Sequence, residues 1–441
     1  MSRIQDQHSA SAELPPLAPE QFDVGSTEDS LERLVSAAAS CGDVFRIHAP
    51  GRRSETWIIN NPADIKRVLV TNHRNYTKGV GLDRVKILLG NGIMTSESDL
   101  WRRQRRMIQP TFHRRVTESF GPLIERCVDE RIARWNGFAE RGEPVDVTEE
   151  MSGLTLDIIL GAIFGRDLDW LTERMGGNPF AIVTEHAVRD LQFAYRFRSL
   201  TRLVGELVAR RRDAGEEHHD LLGMLIDARD KESGEPMPPR ELIDEVMTLV
   251  VAGHETSAAA LNWTWYLLAT HPQAYARLIA ELDATPERSG ISFGDAEGLS
   301  YTQAVIKEAM RLYPPGWLLT RRTIDADVLS GFAAPPGTDV MLSPYLIQRH
   351  PDHWDRPDEF RPERFVDPGV DPRDRWIYIP FAAGPRHCVG ENFAMFEMTL
   401  HVARVARRWH LEYVDDGPID VEAAINLRTR RGLRMRLRPR H

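Results

Sequence analysis

Apolar residues recur at helical spacing through most of the first three quarters of the chain, and strand-like alternation is confined to short stretches. The spacing predicts helices over roughly 62–71, 98–108, 116–139, 148–164, 180–213, 239–269 and 296–312. Val44–Ile47 and Thr56–Ile59 flank a Pro-Gly turn and read as a hairpin. From Pro314 onward proline and glycine thicken: Pro314-Pro315-Gly316, Pro335-Pro336-Gly337 and the run from Pro357 to Pro385 predict short strands and loops. A last helix is expected from about Gly390 to Trp409, then a strand at Leu433–Leu437. The long helix over 239–269 opens on Pro238-Pro239, a favourable helix start. Its segment Val246–Ala252 is apolar on all sides and must run through the core, yet it is too short and interrupted to span a bilayer.

No repeat period and no linker between two cores is visible. The expectation is one large domain over 21–441, mainly α with a smaller β-rich portion, after a flexible lead-in over 1–20 that holds Pro15, Pro16 and Pro19. At 42% hydrophobic and 27% charged, the composition is that of a globular protein rather than a disordered one. A net charge of −9 argues against general nucleic-acid binding. The polar stretch Met1–Glu13 has no apolar core for a signal or an anchor, so a cytoplasmic protein without a membrane anchor is expected, most simply a monomer.

Three cysteines, Cys41, Cys127 and Cys388, form no CxxC pair, which excludes a disulfide framework and a four-cysteine zinc site. Cys41 and Cys127 read as small buried hydrophobes. Cys388 differs because of its neighbours, Phe381-Ala-Ala-Gly384-Pro-Arg386-His-Cys388-Val-Gly390. It stands just before a predicted helix, where free N–H groups and the positive end of the dipole favour a thiolate. Gly384 permits a tight turn and Gly390 permits a flat ligand to approach the backbone. Arg386 adds a cation that can pair with an acidic group on such a ligand. A nucleophilic cysteine is the competing reading, but His387 is adjacent in an extended loop and points elsewhere, which makes it a poor base.

This loop matches Phe-x-x-Gly-x-Arg-x-Cys-x-Gly and resembles the haem-binding loop of the cytochromes P-450. Other segments match the same family in order. Glu308 and Arg311 correspond to its Glu-x-x-Arg pair, and Pro362-Glu363-Arg364-Phe365 supplies the third partner, so the resemblance implies a buried structural network of Glu308, Arg311 and Arg364 that shapes the cysteine loop. Trp101 and Arg105 match a Trp-x-x-x-Arg that reaches a haem propionate, Arg321 (or Arg322 beside it) a second such contact, and Arg386 a third. Within the long helix, Ala252-Gly253-His254-Glu255-Thr256 matches the oxygen-activating motif. The Thr256 hydroxyl can bond the Ala252 carbonyl, a distortion that would open a groove for dioxygen and water. Glu255 and Thr256 would carry protons, and His254 reads as a satisfied core histidine.

The resemblance implies a helical prism with haem b between the long central helix and the cysteine loop, Cys388 as axial ligand, and Ala252, Phe381, Gly384 and Gly390 against the cofactor. It implies a monooxygenase that places one atom of dioxygen in a hydrophobic substrate (a fatty acid, terpenoid or similar molecule), with electrons from a separate ferredoxin or flavodoxin-type protein. The basic run Trp101–Arg106 is the expected docking face. Phe193, Val251, Trp317, Leu318 and Leu319 are the expected pocket wall, with Arg189, Arg196 and Arg198 as candidate cations at its mouth. A non-catalytic haem-thiolate sensor or carrier is the alternative; it would need Cys388 but not Glu255 and Thr256.

Overall fold

The computed structural model describes residues 13–25, 28–50, 55–184, 191–215, 217–285, 293–366 and 376–440. Six helices position the site: α1 (Ser98–Ile108), α2 (Gly121–Arg141), α3 (Val147–Phe164), α4 (Pro239–Thr270), α5 (Ser300–Leu312) and α6 (Glu391–Arg408). The expected helix over 116–139 is two, Arg114–Ser119 and α2. That over 62–71 is a short α-helix, Pro62–Lys66, continued as a π turn, Arg67–Thr71. Helices Ser30–Cys41, Leu82–Leu89 and Pro272–Ala284 were not legible from the periodicity.

Pro239 opens α4 as expected, and the helix runs 32 residues, with Val246, Met247, Leu249 and Val250 buried in the largest apolar cluster. α3 packs along it. Gly253 makes that approach possible, because a Cβ there would press on Ile159 of α3.

A five-stranded sheet has β1 (Val44–Ile47) and β2 (Thr56–Ile59) as the predicted hairpin, then β3 (Tyr76–Lys78), β4 (Leu319–Thr323) and β5 (Asp339–Leu342), in the order β1-β2-β5-β4-β3. Only β2 and β5 pair in parallel; the antiparallel pairing of β3 and β4 sets Lys78 opposite Arg321. A separate hairpin, β6 (Val421–Ala423) and β7 (Leu427–Thr429), lies near the C-terminal end.

The lead-in is not loose where it is described. The Arg46 amide donates to the Pro16 carbonyl at 2.7 Å, its guanidinium donates to the Pro15 carbonyl at 2.8 Å, and Ala18 and Phe22 are buried. Pre-set proline angles leave carbonyls free to accept from β1, and this favours docking. No helix among the described residues is long and apolar enough to cross a membrane.

Candidate functional site

The cysteine loop begins where a buried polar network ends. Glu308 and Arg311, one turn apart on α5, are fully buried, and Arg311 donates to both carboxylate oxygens at 2.7 and 2.8 Å. Arg364 adds a donor to Glu308 at 3.2 Å, and the Arg361 amide another at 2.9 Å. Arg311 also reaches the carbonyls of Gln348, Pro357 and Glu359, so each charge is matched by several hydrogen bonds, as burial of ions demands. Gln348, which sequence reasoning missed, carries the network onward: its amide donates to the carbonyls of Met310 and Arg311, and its oxygen accepts from the Ile379 amide.

From Ile379 the chain turns. Its carbonyl accepts from Ala382, which has φ +58°, and the Phe381 carbonyl accepts from the Cys388 amide at 3.0 Å, which closes the loop. Gly384 has φ +74°, and a Cβ there would fall on the carbonyl oxygen of Leu69. Gly390 caps α6 and donates its amide to the Cys388 sulfur.

Cys388 is exposed by accessible area, yet protein surrounds it closely enough that burial pushes its thiol up from the ordinary range. Both hold when the sulfur faces an enclosed space. The Gly390 amide and the nearby Arg105 guanidinium oppose that rise, and Glu391 adds to it. A second half-open surface lies on α4. Val251, Ala252, Glu255 and Thr256 are only half-buried on a helix whose neighbouring turns are buried, and Leu318, Leu319 and Phe381 are half-buried too.

Beside the loop, cations gather. Arg386 stacks over the Trp101 ring at 4.4 Å, donates to the Ser96 carbonyl and pairs with Glu97. Burial and Arg386 pull Arg321 down to about 10. Burial, together with Arg321 and Arg386, pulls Lys78 down to about 7. Lys78, Arg321 and Arg386 thus share one carboxylate, Glu97, which leaves basic groups in excess of acid. Arg322 instead pairs with Asp339 and is partly open, so Arg321 is the arginine that faces inward. Lys78 was not found from the sequence; only its register against Arg321 reveals it. Arg105 stands apart from this group and donates to the His387 carbonyl at 2.7 Å.

These residues fit the haem implied above. The loop presents a thiol with accessible area, and beside it basic side chains outnumber acids, which suits a cofactor that carries two carboxylates.

On α4, a continuous helix from Pro239 to Thr270, the Thr256 hydroxyl donates to the Ala252 carbonyl at 2.8 Å, as expected. Glu255 accepts from the Asn426 side-chain amide at 3.0 Å. His254 is buried with its Nε2 3.0 Å from the Ser152 hydroxyl, and burial drops it to about 4, so it is neutral.

The expected pocket wall divides. Trp317 does not line an open space: it is buried in a core cluster and its indole N–H donates to the Ala424 carbonyl. Phe193 is half-buried and stacks on Phe197. Arg196 and Arg198 are exposed, and Arg189 lies outside the described residues. The basic run is largely neutralised: Arg102 pairs with Asp99, Arg103 with Glu241, and Arg106 with Asp230 and Glu232.

Comparison with known proteins agrees with this geometry. A family model described as "Cytochrome P450" matches residues 14–196 and 179–431. Cyclooctatin synthase of Streptomyces melanosporofaciens is 35% identical over 397 residues, 86% of this chain and 85% of that protein. Pentalenene oxygenase of Streptomyces avermitilis is 30% identical and covers 92% of each. The crystal structure of the cytochrome P450DA heme domain superposes with a TM-score of 0.87 at 24% identity and covers 98% of both chains, a likeness of fold.

Proposed function

The chain belongs to the cytochrome P450 family of haem-thiolate monooxygenases, and from that premise we propose that it oxygenates a terpenoid or similarly hydrophobic molecule on haem b held by Cys388. The observation that carries the reading is Cys388 itself, enclosed by protein yet open on its sulfur side, in a loop held by the Glu308–Arg311–Gln348 network. Lys78, Arg321 and Arg386 would hold the propionates, with Trp101 supporting Arg386. Arg105 would oppose the charge of the thiolate. Phe381, Gly384, Gly390 and Ala252 would flank the ring.

When bound, the haem supplies dioxygen activation, and a thiolate ligand donates the electron density that favours O–O cleavage. The protein's part is protonation and shielding. Thr256 holds its hydroxyl against the Ala252 carbonyl, so its oxygen lone pairs stay available to a water. Glu255 beside it exchanges protons with that water. A sensor or carrier needs no such pair, which disfavours the alternative.

The terpenoid assignment is supported by relatives named for pentalenene and for cyclooctat-9-en-7-ol, the latter 30% identical over 377 residues, and by Val251, Leu318 and Leu319 on the open wall. Electrons come from a separate ferredoxin or flavodoxin-type protein. The internal pairing of Arg103 and Arg106 means that the α1 run offers that partner less charge than its composition suggests. The test is the ferrous carbonyl spectrum of haem-loaded protein. A red-shifted Soret band that disappears in Cys388→His is expected; an unshifted band in the parent protein overturns the assignment. A panel of cyclic terpenes scored by the spin-state change of the haem then identifies the substrate class.

A further inference from the structure

The β6–β7 hairpin is fixed to α4 at more than one level. The Trp263 indole N–H donates to the Leu427 carbonyl at 3.0 Å, and the Asn262 amide donates to the Thr429 hydroxyl at 3.1 Å. At the tip, residues 424–426 connect the strands; Trp317 holds the Ala424 carbonyl at 2.9 Å, and the Leu427 amide donates to the Pro315 carbonyl at 3.1 Å. Glu255 and Asn262 are seven residues apart, two turns along one face of α4, so the hairpin lies along the face that carries Glu255. Its tip ends on that carboxylate, where Asn426 Nδ2 donates to Oε2 at 3.0 Å.

We infer that Asn426 is a positioning residue for Glu255: the hairpin, anchored by Trp263, Asn262 and Trp317, aims the carboxylate that feeds protons to Thr256. The inference rests on the reading that Glu255 serves proton delivery. A half-buried glutamate on a helix has several staggered side-chain conformations open to it. A donor on a rigid neighbouring element selects one of them. Thr256 has its own fixed partner in Ala252. The pair therefore meets with one member aimed from inside the helix and the other from outside it.

The experiment needs no identified substrate. Haem-loaded protein receives electrons from NADPH through a surrogate ferredoxin and its reductase, without substrate, and hydrogen peroxide is measured against dioxygen consumed. One dioxygen that takes up two electrons and two protons leaves as peroxide; one that takes up four of each leaves as two waters. The fraction lost as peroxide therefore reports proton supply. In Asn426→Ala that fraction is expected to rise at least threefold, Glu255→Gln is expected to match it, and the double variant to be no worse than either. Asn426→Asp, which sets a second carboxylate beside Glu255, is expected to move the pH profile of the fraction upward, because neighbouring carboxylates hold a proton more tightly. Asn426→Ser serves where the alanine variant does not fold.

A second readout is independent of turnover. Urea midpoints of the two single variants and the double variant should be non-additive, as for any pair in contact. Additive midpoints, or a parental peroxide fraction in Asn426→Ala while Glu255→Gln raises it, overturn the role of Asn426 alone. A parental fraction in Glu255→Gln overturns the proton-delivery reading and this inference with it.

Discussion

Gln348 accepts the Ile379 amide at 3.0 Å, and through this bond the buried ion pair of α5 governs the loop that presents Cys388. Arg311 grips the Gln348 carbonyl at 2.8 Å, so the bond is one step from the network and two turns of chain from the sulfur.

Glu308→Gln should therefore damage haem retention before it touches chemistry. It leaves Arg311 and Arg364 without a counter-charge in a buried site, a change that costs about 3–5 kcal/mol. Urea unfolding should show that loss, and purified protein should carry less haem per chain. A variant of parental stability and full haem content would contradict the role given to the network.

Thr256→Ala should retain haem and an unchanged carbonyl spectrum while it releases more peroxide per dioxygen. Among the described residues its hydroxyl bonds to Ala252 within α4, so the fold loses about 1 kcal/mol or less. The ratio of peroxide to dioxygen, compared with the melting temperature, separates the two effects.

Acid sensitivity should trace to the buried histidines. His401 is fully buried, accepts from the Trp265 indole at 3.0 Å, and burial drops it to about 3 from the ordinary 6.5. Between those values the unfolded chain binds a proton that the folded chain refuses. Stability from this group is therefore complete above 6.5 and falls as pH drops toward 3, by up to about 1.4 kcal/mol per pH unit. Urea unfolding from pH 7 to 4.5 should lose that part of its slope in His401→Phe, even though the variant is weaker at every pH.

Lys78→Met removes one of the surplus cations and should speed haem loss about tenfold, the factor given by about 1.4 kcal/mol of charge-assisted bonding. Burial and the neighbouring Arg321 and Arg386 hold Lys78 near 7. Haem binding that needs its charge must then weaken as pH climbs past 7, and the variant should flatten that decline. Transfer of haem to apomyoglobin across pH 6–9 measures both.

The helices that carry the site could be read from periodicity because α1 and α4 have a wide apolar stripe or none to hide: Ser98–Ile108 and Pro239–Thr270 fall within a residue of expectation. The cysteine loop and Glu308–Arg311 were legible because each is contiguous in sequence. Lys78, Gln348 and Asn426 were not, since each acquires its role from a neighbour 31 to 243 positions away along the chain, through strand register or a loop contact. Trp317 misled for the opposite reason. An aromatic in an apolar run reads as pocket wall, and nothing local reveals that its N–H is committed to Ala424. The arginines of α1 likewise look like one basic face until their distant acids, Glu241 and Asp230, fold onto them.

The contact of Gly384 with the Leu69 carbonyl carries a lesson for chimeras. The cysteine loop is shaped on its outer side by the π turn Arg67–Thr71, more than 300 residues earlier in the chain. Transplanting the loop from a relative without that turn would set a new surface against an old mould, so the two segments have to be exchanged as one unit.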